Sequence, residues 1–366
     1  MSEGALTPVQ AARLAARARR FRRPTLYLRL AVVLVFLLVP LVVPSFQVTD
    51  LALKIGLFAT LVASYDVLIG YTGIVSFGHA MFFGFGAYAV ALSLTRFGAA
   101  TYGHVVLGFV AGVAVAAVLA VVLGAFSLRV KALFFAMITL AFAEFAVILA
   151  VQWSDLTGGE DGLSPRLPGV FAVSFEGGRL LGVPLTGRLV TYYVVLAVCL
   201  ALFLAMVRFV HSPLGRTLQA IRDNELRAEA LGVPTFLGQL IASAFGSVVA
   251  TLVGGGYAMW VRYVNPESTL GVPIMLDVLL MVIIGGIGTL YGGLVGAAFL
   301  VTARLLLPYL RSAGAALFPG SALVQVLTER WLLYFGVLFI LVVFFFPKGV
   351  LGTLRDALAR KRLAAS

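Results

Sequence analysis

The chain is short of the groups that most enzymes use. It has one cysteine and three histidines, and Asp and Glu together number only 15 in 366 residues. Cys199 has no partner for an intramolecular disulfide and falls inside an apolar run, where a small packing residue fits. His79, His104 and His211 are scattered without metal-ligand spacing. No Gly-x-x-x-x-Gly-Lys-Ser/Thr occurs, so ATP binding through a P-loop is not expected; the glycine run from Gly285 to Gly293 lacks the lysine. No Gly-x-Ser-x-Gly nucleophile motif is present either. Nothing here favours an enzyme, a metal or a cofactor.

What the chain has in quantity is apolar sequence. Such residues make up 61% of it and charged ones 11%, far from the soluble average. They fall in runs of membrane-spanning length. The spans expected are Leu26 to Val43, Leu51 to Ile69, Ala80 to Leu94, His104 to Phe126, Ala132 to Val151 and Leu189 to Val207. Phe236 to Trp260, Pro273 to Ile287, Tyr291 to Leu307 and Trp331 to Phe346 follow. The fold class is therefore all-α integral membrane, a polytopic bundle of about ten helices, with the short third and eighth as candidates for re-entrant segments.

The net charge of +12 is not spread as a nucleic-acid surface would need. Arginines cluster just outside spans, as the positive-inside rule describes. Segment 1–25 carries Arg13, Arg17, Arg19, Arg20, Arg22 and Arg23, and segment 348–366 carries Lys348, Arg355, Arg360, Lys361 and Arg362. Both termini are expected in the cytoplasm, flanking a membrane domain over 26–347. The connection 152–188 reads as external and 208–234 as cytoplasmic. The long basic stretch before the first apolar run, with no small-residue cleavage site after it, is unlike a signal peptide.

The cytoplasmic connection holds the best-defined soluble element. Ser212 suits a helix cap, Pro213 its first turn, and Gly232 with Pro234 a stop. Leu214, Leu218, Ile221, Ala228 and Leu231 recur at helical spacing beside Arg216, Arg222, Asp223, Arg227 and Glu229. Two readings stand. The helix lies on the bilayer surface, or it docks into a groove on a cytoplasmic partner.

The segment from Gly70 to Tyr88 is glycine-rich yet embedded among membrane-length runs. Lipid offers no partners to an irregular backbone, so such a break must be enclosed by protein or line a water-filled route. Candidates for lining that route are Tyr71, Thr72, Gly73, Ser76 and His79, with Gly286 and Thr289 from the second glycine run and Asp277 from the span before it. Helix capping is the competing role for Thr72 and Ser76, and a bond to a neighbouring carbonyl for His79. Gly73 to Phe77 and Gly286 to Leu290 look alike, as internal repeats of transporters do. Asp66, Glu144 and Asp277 fall inside apolar spans, where an aspartate costs roughly 2.5–3.5 kcal/mol, so they should face protein or an aqueous cavity. Pairing with Lys54 or Arg304 is the expectation for Asp66.

Seven segments resemble the permease subunits of branched-chain amino acid ABC importers, in that family's order. They are Gly70 to His79, Thr139 to Glu144, Leu156 to Gly162, Ser212 to Arg216, Ala220 to Glu225, Ala228 to Gly232 and Ile284 to Gly293. The likeness runs from the first span to Phe346 and is nearest to the LivM-type subunit. It implies a type II importer-like bundle in the bacterial inner membrane that carries a branched-chain or other hydrophobic amino acid. It also implies two cytoplasmic P-loop ATPase subunits, a second permease of LivH type and an external solute-binding protein. Leu214, Gly215, Arg216, Leu218, Ile221, Arg222, Glu225, Ala228, Leu231 and Gly232 would then form the ATPase-coupling loop. That loop departs from the general importer pattern, because Glu229 is followed by Ala230 and Leu231 rather than paired alanines. Glu144 gains its case as a route residue from the resemblance. Urea, short amides or aromatic acids are alternative cargoes, and a stand-alone secondary transporter is the alternative class. ATP dependence against an ion gradient separates the classes.

Overall fold

The computed structural model describes residues 27, 29–97, 100–130, 132–171, 174–180, 183–317, 331–346 and 349–353. The basic segment 1–25 lies outside the described residues, as does most of 348–366. Every expected span coincides with a helix. These are α1 (Arg29–Val42), α2 (Phe46–Ile69), α3 (His79–Arg96), α4 (Tyr102–Ser127) and α5 (Ala132–Gln152). After the short α6 (Ser154–Thr157) come α7 (Gly187–His211), α8 (Pro213–Asp223), α9 (Glu225–Ala230) and α10 (Thr235–Val261). The chain continues through α11 (Pro266–Thr269), α12 (Val272–Gly285), α13 (Leu290–Leu317) and α14 (Trp331–Phe345). Among the described residues, six stretches are long and apolar enough to cross a bilayer unaided: α2, α4, α5, α7, α10 and Pro266–Gly285.

One element departs from an all-α reading. Within the connection 152–188, β1 (Ser174–Leu180) pairs antiparallel with β2 (Val183–Thr186), setting Ser174 opposite Thr186 and Leu180 opposite Val183. Gly177 and Gly178 interrupt any alternation in β1, and Pro184 argues locally against a strand at β2. A further bridge joins Leu163 to Val264 and holds this connection against the end of α10.

The core is built around α2, α3 and α10. Leu53, Leu61, Val62, Tyr65, Ala87, Val90 and Ala250 are fully buried there. Glycine lets α3 and α10 approach backbone to backbone. A Cβ at Gly86 would fall 1.8 Å from the Thr251 carbonyl oxygen, and one at Gly254 would fall 1.8 Å from that of Phe83. Neither gap can be relieved by turning a side chain. Gly254→Val should therefore cost at least about 1–3 kcal/mol, the usual penalty of overpacking. Thermal unfolding of the purified chain in detergent should show a clearly lower midpoint; an unchanged midpoint would refute this close α3–α10 contact. By contrast α4 and α5 leave long apolar faces uncovered, including Val106, Val110, Val118, Phe134, Met137 and Phe145.

Candidate coupling and translocation site

The connection 208–234 folds as two helices, where the sequence pattern reads as one. Ser212 caps α8 by accepting from the Gly215 N–H at 3.3 Å, with Pro213 in the first turn. Asn224 then turns extended, with φ −162, and its side chain accepts from the Arg227 N–H at 2.9 Å to start α9. An asparagine that can cap breaks the run where the apolar spacing alone would continue it. Past α9, Gly232 takes φ +82, a left-handed conformation that glycine adopts without strain.

The break splits the apolar stripe into two parts. Gly215, Leu218, Ile221 and Ala228 are buried within the chain, and Leu214 is half-buried. Side chains of Leu218 and Ile221 lie over Gly238 at the start of α10. Gln239 donates to Glu225 at 3.0 Å and Thr235 to Glu229 at 2.8 Å, fastening α9 to the same helix. Leu231 does not join the buried stripe. It is 78% exposed, and Leu226, which the spacing argument passed over, is 80% exposed. Arg216 is exposed as well.

At the end of α8, the Arg222 side chain, exposed overall, lies across both glycine breaks. Its Nη1 donates to the Gly70 carbonyl, where α2 ends. Gly73 (φ +78) lies against its aliphatic stem, and Gly288 (φ +80) against its guanidinium. The breaks also touch each other directly. The Gly288 N–H donates to Asp66 Oδ1 at 2.7 Å, and Asp66 is 1% exposed. A Cβ at Gly70 would fall 2.6 Å from the Gly288 nitrogen. Left-handed backbone at 73 and 288 and the absence of a Cβ at 70 are thus conditions for the junction. The breaks lie side by side at the α8 end of the bundle.

Asp66 therefore pairs with neither basic residue expected of it. Lys54 stands three helical turns away on α2, about 18 Å along the axis. It instead forms an ion pair with Asp50 at 2.8 Å. Arg304 on α13 holds Asp277 at 2.5 Å.

The other route candidates divide by position. Thr72 is buried and donates to the Leu68 carbonyl at 2.6 Å, capping the end of α2. Ser76 is buried and accepts from the Gly78 N–H at 3.3 Å, ahead of α3. His79, 1% exposed, bonds Ser64 Oγ at 2.8 Å rather than a carbonyl. Thr289 donates to the Gly286 carbonyl at 2.6 Å, and Gly286 has φ +108. These groups hold the breaks in shape. Tyr71 is half-buried beside them. Glu144 is not brought to the junction. Thr139 of α5 accepts from the Phe77 N–H at 3.1 Å, whereas Glu144 sits on an exposed part of the same helix.

This pair of touching glycine breaks, fastened to a capped helix between two spans, lies in a chain that a known family covers. Residues 47–344 match the family described as branched-chain amino acid transport system / permease component. The chain belongs to this permease family. Similar members include the high-affinity branched-chain amino acid transport system permease protein LivM of Escherichia coli K12. It is 28% identical, over 91% of this chain and 77% of that protein. LivM of Salmonella typhimurium is also 28% identical, over 85% of the chain and 72% of that protein. A probable LivM of Methanocaldococcus jannaschii is 26% identical, over 83% of the chain and 93% of that protein. No solved structure matches the chain. Both breaks, α8, α9 and Arg222 lie inside the matched family region.

Proposed function

We propose that the chain is the transmembrane permease subunit of an ABC importer for branched-chain amino acids. It works with two cytoplasmic P-loop ATPase subunits, a second permease of LivH type and an external solute-binding protein. It lies in the bacterial inner membrane with both termini cytoplasmic. Family membership and the cargo named for the similar LivM proteins support the transport role. The absence of a P-loop from this sequence agrees with ATP hydrolysis on separate subunits.

The observation that carries the coupling mechanism is the reach of Arg222 from α8 to Gly70, beside Gly288. In this mechanism the ATPase subunits grip α8 and α9 from the cytoplasm. Closure of the ATPase pair on ATP shifts α8. Arg222 passes that shift to the ends of α2 and α12 and the starts of α3 and α13 together, because both breaks close on one guanidinium. Burial of Asp66 against the Gly288 N–H makes the breaks move as a unit. The broken backbone around Tyr71, Gly73 and Gly286 then opens or closes the cytoplasmic end of the route. Among the expected route residues, Thr72, Ser76, His79 and Thr289 set the shape of the breaks, whereas Asp277 lies farther along toward the opposite side.

Reconstitution tests the class. Proteoliposomes containing this chain with its permease and ATPase partners should take up leucine when ATP and the binding protein are supplied. Dissipating the proton and sodium gradients should leave that uptake intact. Leucine uptake by the chain alone, driven by an ion gradient, would overturn the proposal.

A further inference from the structure

A cavity of about 370 Å³ opens between α2, α10, α12 and α13, at the end of α2 away from the Gly70 junction. Pockets that hold small molecules begin at about this size. Its walls join two kinds of surface. Phe58, Ile274, Met281 and Leu300 are apolar, while Asp50 with Lys54 and Asp277 with Arg304 bring two ion pairs into the same space. Asp277, an ionisable residue inside an apolar span, is a functional-site candidate on that ground alone.

The hydrogen-bond inventory of these pairs is unequal. Both oxygens of Asp50 are engaged, Oδ1 by the Trp260 indole N–H at 2.8 Å and Oδ2 by Lys54 at 2.8 Å. Asp277 uses only Oδ1 among the described residues. Arg304 gives Asp277 one of the five N–H donors that a guanidinium carries, and its side chain keeps 48% exposure. Lys54 gives Asp50 one of three. The cavity therefore has surplus cationic donors, one unused carboxylate oxygen and an apolar wall. A ligand that satisfies all three carries a carboxylate, an ammonium and an alkyl group, as an α-amino acid does on a single carbon.

We propose that this cavity binds an apolar α-amino acid as its zwitterion. Arg304 and Lys54 take the ligand carboxylate, Asp277 Oδ2 takes the ammonium, and the side chain lies against Phe58, Ile274, Met281 and Leu300. The site belongs to one permease chain by itself and faces outward in the proposed orientation. It rests on the amino acid transport role proposed above, and adds that the permease selects its cargo independently of the binding protein.

The test uses the assembled transporter in nanodiscs without the binding protein, with tritiated leucine binding read by scintillation proximity. Saturable binding is expected. Neither 4-methylpentanoate, which lacks the ammonium, nor 3-methylbutylamine, which lacks the carboxylate, should compete at equal concentration. Arg304→Lys keeps a cation beside Asp277 but loses the planar fork, and should weaken leucine binding about ten-fold. Asp277→Asn should narrow the preference for leucine over 4-methylpentanoate. Equal competition by either half-molecule on the unmodified transporter would overturn the proposal, as would unchanged affinity and preference in both variants. Absence of saturable binding in nanodiscs, when the same transporter in proteoliposomes takes up leucine once the binding protein is added, would also overturn it, while leaving the transport role standing. If no amino acid is taken up even with the binding protein, the transport reading falls and the site with it.

Discussion

Arg222→Ala should cut ATP-driven leucine uptake about 10- to 100-fold while ATP hydrolysis by the assembled transporter continues. The expected size lies within the range of about 5- to 150-fold that a coupling free energy of about 1–3 kcal/mol between two sites corresponds to. In the intact chain Arg222 donates to the Gly70 carbonyl and lies against both Gly73 and Gly288. Removing it leaves the Gly70 carbonyl without its charged donor and separates α8 from both breaks. The backbone on either side remains held by Thr72, Ser76 and the Asp66–Gly288 bond, so the bundle should still assemble. Arg222→Lys should recover part of the loss, since an ammonium on a shorter stem can approach the carbonyl but cannot span toward Gly288. The deciding quantity is leucine transported per ATP hydrolysed in proteoliposomes. A wild-type ratio in Arg222→Ala would remove Arg222 from the coupling path.

What was legible in the sequence and what was not differ by the range of the interactions involved. Apolar runs and glycine clusters are local signals, and all ten expected spans fall on helices, although α13 runs on to Leu317, ten residues past its expected end. Ser212, Pro213 and Gly232 take up the cap, first-turn and stop positions that their chemistry suits. The partner of Asp66 was not legible, because it is set by where α2 crosses the α12–α13 connection, 222 residues away in sequence. A helix-period argument sees only neighbours three and four residues apart. Nor could spacing say that the α8 stripe turns inward onto α10. An amphipathic pattern has the same period whether its apolar side meets lipid, a partner or the chain's own next span. Asn224 was the missed signal for the break in that stripe, since a capping residue in mid-run marks a second helix start. Glu144 was placed by likeness of its segment alone, and the structure puts Thr139 rather than Glu144 against the first break.

Leu226→Glu combined with Leu231→Glu should detach the ATPase subunits from the permease. Because Leu218, Ile221 and Ala228 are buried in the chain itself, the α8 stripe keeps only part of Leu214 for docking or for lipid. The apolar surface that α9 and the residue after it offer to solvent is Leu226 and Leu231, at 80% and 78% exposure. Two leucines seated in a partner groove contribute roughly 1.5–3 kcal/mol each through burial. Losing both, and placing two carboxylates where they would lie, should weaken the complex by more than about a hundredfold. The bonds from Thr235 to Glu229 and from Gln239 to Glu225 do not involve either leucine, so α9 should stay folded on α10. The measurement is co-purification of the ATPase subunits with the tagged permease chain, alongside its thermal midpoint. A lower midpoint with intact co-purification would mean that the leucines pack on lipid or on the chain, and would refute docking. Lost co-purification at an unchanged midpoint would place the ATPase contact on α9, with Arg222 one turn before it as the link from that contact to the glycine breaks.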